Sequence, residues 1–84
     1  MKNKDEPGID WSTRFRQGDV VRGTDGTGFG VVRYVGQYGD HPPKYELHVE
    51  EPESGVGIWE PWDAVVANDP DSIEEAKRLG LLEQ

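Results

Sequence analysis

Trp59 and Trp62 stand three positions apart around Glu60-Pro61, and Asp63 follows directly. Indole faces beside carboxylates suit two kinds of ligand. A proline-rich segment docks between aromatic ridges while nearby acids select Arg or Lys, and a cationic side chain can sit over a ring. Tyr34, Tyr38 and Phe29 are the other aromatics able to gather with Trp59 into a shallow groove. The acidic residues Asp40, Glu51, Glu53, Glu60 and Asp63 would lie in its surrounding loops. The same rings could equally pack under the N-terminal arm or a C-terminal helix.

Other reactive groups are sparse. Ser12 and Ser54 have no histidine at a suggestive spacing, and Glu50-Glu51 reads as a pair of solvated carboxylates, so no convergent acid–base set emerges. No cysteine is present, and the two histidines, His41 and His48, lie seven apart without a ligand-like pattern. Neither a disulfide framework nor structural zinc is expected. The run GTDGTGFG, residues 23–30, lacks the Lys-Ser/Thr of a phosphate-binding P-loop and leads into Val31-Val32, which is strand rather than helix. Its glycines read as turn residues supplying positive φ.

The elements that position these residues follow from composition and pattern. Eighty-four residues make one domain with a small core. The net charge of -8 is uneven: residues 1–35 carry six Lys/Arg against five Asp/Glu, and residues 36–84 carry three against twelve. An acidic half is poorly suited to nucleic acid or to anionic lipid. No signal-peptide pattern opens the chain, and no run approaches the roughly 18 apolar residues of a membrane span. A cytoplasmic, soluble protein is the expectation.

Residues 1–13 mix charge with Pro7 and Gly8 and read as a flexible arm anchored by Ile9 and Trp11. Beyond it, short Val- and aromatic-rich runs alternate with glycine, which is strand and turn chemistry. Five strands are expected, at 18–22, 31–35, 45–50, 56–59 and 64–66. The third has the clearest alternation, with Tyr45, Leu47 and Val49 on one side and Glu46, His48 and Glu50 on the other. By the same alternation Val56 and Ile58 share a face; if those aliphatics fill the core, Trp59 points outward. Trp62, in the tight turn after Pro61, is expected to be mostly core. In the tail, Asp71 or Ser72 is placed to cap a helix, with Glu74 or Glu75 completing a capping box. Ile73, Ala76 and Leu79 form its apolar face, and Gly80 ends it. Leu81 and Leu82 join Ile73 and Leu79 in docking on the strands or on another subunit.

The order Phe15 to Arg22 (F-x-x-G-D-V-V-R), a G-x-V-x-x-Y strand, a Y-x-x-x-V strand and a late aromatic strand resembles an SH3-like barrel. Within that fold the layout of residues 15–67 is similar to the type II, plasmid- and cassette-borne dihydrofolate reductases. That resemblance implies a homotetramer whose pore holds NADPH and folate. It would place Val56, Gly57, Ile58 and Trp59 along the pore in place of the family's Val-Gln-Ile-Tyr, and Gly23 where the family has a lysine. The glutamine amide, the tyrosine hydroxyl and the cation are thus absent.

The sequence therefore predicts an all-β, five-stranded SH3-like barrel at 14–67, a flexible arm at 1–13 and a helical appendix at 68–84. The expected role is an interaction module rather than an enzyme, with no cofactor. It would bind a basic or proline-rich protein or peptide through Trp59, Trp62, Tyr34, Tyr38, Phe29, Glu60 and Asp63. The alternatives are a reductase-like tetramer binding NADPH, and an accessory protein of a phage or mobile element that sequesters a basic host protein. Homo-oligomerisation is left open.

Overall fold

The computed structural model describes residues 11–40 and 43–82. The valine-rich runs form five antiparallel strands: β1 (Val20–Gly23), β2 (Phe29–Tyr38), β3 (Lys44–Glu51), β4 (Gly55–Trp59) and β5 (Ala64–Val66). Trp11–Arg14 forms a helical turn, α1, and Pro70–Arg78 forms α2. The strand order is β4-β3-β2-β1-β5. The last strand therefore returns to the side of the first, while β4 and β5 are the edges among the described residues. The sheet is not closed, which corrects the expected barrel: a 3-10 turn, Pro61–Asp63, joins the two edge strands, and β5 is only three residues long.

Alternation along each strand gives the sheet two apolar faces. On the inner face Phe15, Val21, Val32, Leu47, Val49 and Ala64 cluster, with Trp11, Val35 and Trp59 packed around them. Each fully buried Val or Leu there contributes about 1.5–3 kcal/mol of transfer free energy. Trp11 stacks on Phe15 with ring centroids 6.3 Å apart, so the end of the expected arm is a helical turn seated on the core. On the outer face Val20 and Val31 meet Ala76 and Leu81, with Phe29, Ile73 and Leu82 alongside. This is the internal docking of the tail onto the strands.

The helix begins two residues earlier than expected. Asp69, not Asp71 or Ser72, caps it, accepting from the Ser72 amide at 3.1 Å and from the Ser72 hydroxyl at 3.0 Å. Pro70 can follow directly because the first helical residue needs no amide hydrogen. At the other end Gly80, at φ +79°, donates to the Lys77 carbonyl while Leu81 donates to that of Ala76. That pair of bonds is a Schellman closure, and it swings Leu81 into the core. Leu79 is consequently left 42% exposed, against its expected place on the buried face.

Two arginines hold α2 and the tail to the sheet. Arg22 reaches Glu75 at 3.0 Å and Ser72 at 3.2 Å, and its guanidinium lies 4.6 Å from the centre of the Phe29 ring. Arg33 reaches Glu50 at 2.7 Å and also donates to the Leu81 carbonyl. Arg33 occupies a β-bulge: Val32 pairs with Val49, and Tyr34, not Arg33, pairs with His48. One extra residue inverts the facing of the strand beyond it, so Val32 points inward and Tyr34 outward.

Candidate functional site

Strand β4 decides where the aromatics go. Its register sets Trp59 opposite Leu47 and Gly57 opposite Val49, and sets Ile58 opposite His48 and Val56 opposite Glu50. Trp59 therefore packs against the inner core, while Val56 and Ile58 are 58% and 61% exposed. The alternation expected of this strand holds with its sense reversed. A large indole fills the position beside Leu47, and the two aliphatics take the solvent side.

Trp59 forms one wall of a cleft of about 490 Å³, open to solvent, with Thr24, Asp25 and Gly28 of the β1–β2 connection opposite. Glu51, Ile58, Glu60 and Asp63 also line it, so four carboxylates share the cleft with one indole. Gly28, at φ +87°, lies so close that a Cβ there would come within 3.1 Å of the Trp59 ring. Any other residue would be strained and would press on the indole. The Glu51 carboxylate lies over Gly57, where a Cβ would meet its Oε2 at 2.5 Å. A bare glycine therefore lets an acid lie along the strand.

The cleft's loops are braced. Asp25 Oδ1 accepts from the Thr27 amide at 2.9 Å and from the Thr27 hydroxyl at 2.7 Å. These bonds, the amide's first, hold the Asp25 carboxyl below its ordinary value, so it stays ionised. The Thr24 amide donates to the Asp63 carbonyl at 3.0 Å, tying the β1–β2 connection to the 3-10 turn. Within that turn Pro61 is fully buried and Trp62 is half-buried.

The expected aromatic groove does not assemble. Phe29 lies on the outer face against the α2 cluster, under Arg22. Tyr34 and Tyr38 are 59% and 51% exposed on that same outer face. Tyr34 meets His48 edge-on at 5.3 Å, and the negative charge of Glu46, with a hydrogen bond to it, pushes the Tyr38 hydroxyl up. Trp59 is on the opposite side of the sheet, and the bulge at Arg33 accounts for the separation. Of the seven expected binding residues, Trp59, Glu60 and Asp63 line the cleft together. Glu51 joins them from the loop acids, whereas Asp40 and Glu53 do not. Thr24, Asp25 and Gly28 were missed because residues 23–30 read only as a turn; Asp25 was the one charged residue there to signal otherwise. The run Val56-Gly57-Ile58-Trp59, placed along a pore by the resemblance, is split between the two faces.

Among the described residues no group of three or more His, Asp or Glu is placed to hold a metal ion, and no helix is long and apolar enough to cross a membrane. Comparison with family models, curated proteins and solved structures finds no match.

Proposed function

We propose that this chain is a small interaction module with an SH3-like arrangement, which takes a Lys or Arg side chain of a partner protein in the Trp59 cleft. The return of β5 to the side of β1 in a short antiparallel meander supports the fold reading. The observation that carries the functional reading is the grouping of Asp25, Glu51, Glu60 and Asp63 around a partly buried indole. A cation over an aromatic face gains more as it is desolvated, and carboxylates at the rim raise its local concentration and its rate of arrival. The reductase-like alternative draws less support: Gly57 has no amide to hold a ring, Gly23 no cation for a phosphate, and the cleft's charge opposes a dinucleotide.

The test is a fluorescence titration with a lysine-rich peptide, using Trp59→Phe to separate this indole from Trp11 and Trp62. Glu60→Gln with Asp63→Asn should weaken capture by about tenfold without lowering the melting temperature, because both side chains are exposed. Added salt should weaken the wild-type complex more than the double variant's. Affinity that is indifferent to both changes would remove the cation from the reading.

A further inference from the structure

Strand β4 has two properties that the cation reading leaves unused. It is an edge: its partner is β3, and no other backbone hydrogen bond reaches 55–59 among the described residues. Among the described residues it also lacks the usual protections of an edge. Gly55–Trp59 contains no proline, no charge and no bulge, and it turns Val56 and Ile58 to solvent. Natural sheets blunt such edges with lysine, proline or a covering segment, because a free row of N–H and C=O groups templates another strand. The other edge, β5, is three residues long and offers much less.

Resting on the cation-binding reading of the cleft, the geometry points to β4 as a strand-addition site for an extended segment of a partner protein that alternates apolar and basic residues. Side chains directly opposite one another across paired strands share a face. Residues of the added strand opposite Val56 and Ile58 lie on the outer face, beside those exposed aliphatics, and are apolar. Residues opposite Gly57 and Trp59 lie on the inner face, beside the Glu51 carboxylate and the acidic cleft, and are basic. Main-chain hydrogen bonds supply affinity in such a complex, and the alternate side chains supply specificity.

Charge argues against a second copy of this chain as the occupant. Antiparallel pairing of two β4 strands about Gly57 would bring together the Glu51 carboxylates that lie over each Gly57, and would place Glu60 of each copy near Glu53 of the other. Like charges facing each other across strands are destabilising, and the chain's net charge of -8 adds to the repulsion. A basic segment reverses the sign of every one of those contacts.

The probe is a synthetic peptide of alternating valine and lysine with blocked ends. Its controls are a peptide of the same composition with the valines and lysines in two blocks, and two versions N-methylated at alternate residues in either register. Binding is measured by calorimetry and by hydrogen exchange at the β4 amides. The alternating peptide should bind about tenfold more tightly than the blocked one and protect β4 amides, and N-methylation in one register should remove that gain. Val56→Lys, at an exposed site on β4 outside the cleft lining, should weaken it by about tenfold with the melting temperature unchanged. Equal affinity for the alternating peptide and both N-methylated versions, or indifference to Val56→Lys, overturns strand addition and leaves the cation site standing. Failure of the lysine-rich peptide to bind as well removes the cleft reading itself. A doubled mass without peptide, abolished by Val56→Lys, would mean that a second copy takes the edge, and that also overturns the proposal.

Discussion

The outer face of the sheet has two halves built from similar residues and treated in opposite ways. Over β1 and the start of β2, Val20, Val31 and Phe29 lie beneath Ile73, Ala76, Leu81 and Leu82. Over the end of β2 and β4, Tyr34, Tyr38, Val56 and Ile58 stay exposed. Helix α2 has nine residues, a length of about 14 Å at 1.5 Å per residue, and it spans only a few strands. Arg22 and Arg33 fix which part it covers, one through Glu75 and Ser72, the other through the Leu81 carbonyl. Apolar residues on a strand do not by themselves define a core. The element that covers them does, and here polar tethers fix its position.

Removing the covering contact should give the largest effect. Leu81 is buried against Val20, Val31 and Ala76, so Leu81→Ala leaves a cavity that α2 can only partly close. The expected loss is about 2–4 kcal/mol, read as a fall in the urea midpoint with the slope preserved. A loss below about 1 kcal/mol would mean that the tail lies loosely on the sheet and that the two halves differ less than their exposure suggests.

How far the sequence anticipated this arrangement depends on the kind of signal each feature leaves. All five strands and the tail helix were legible, because period-two alternation and glycine punctuation are local. The facing of β4 was not. VGIW carries apolar residues on both of its sides, so the strand alone does not say which pair turns inward; the choice is made by the space beside Leu47, which only the folded sheet defines. The groove failed for a related reason. A bulge adds one residue without changing composition, and the one at Arg33 moved Tyr34 to the face opposite Trp59. The helix starts two residues before the expected Asp71 cap because Pro70 takes the first helical position, which makes Asp69 the cap. Of the cleft, the acids after β4 were visible and the loop opposite was not, since its proximity to Trp59 is a tertiary contact.

A smaller change to the covered half comes from pH. Hydrogen bonds from Ser72, the amide's first, lower the Asp69 carboxyl below its ordinary 3.8. A group whose pKa is depressed on folding stabilises the folded state above its unfolded value, and that contribution is lost as pH falls through the folded one. The cap should therefore be intact at neutral pH and should weaken only in acid below the usual carboxylate range. Asp69→Asn keeps an acceptor without the charge and should flatten this acid-side loss. Far-ultraviolet circular dichroism across an acid titration checks it, and identical profiles for the two proteins would remove Asp69 from the account.

The bare half supplies the weakest perturbation and the sharpest contrast. Ile58 is a large aliphatic on a regular strand, as Leu47 on the neighbouring strand is, yet its side chain is 61% exposed, and truncating it removes little buried area. Ile58→Ala should change stability by no more than about 0.5 kcal/mol in urea unfolding, far less than Leu81→Ala on the same face. The cross-strand contact with His48 is the reason to expect a small loss rather than none, since such pairs contribute about 0.2–1 kcal/mol. A loss comparable to that of Leu81→Ala would show that this half is covered in solution, and the division of the outer face would then be one between two kinds of cover.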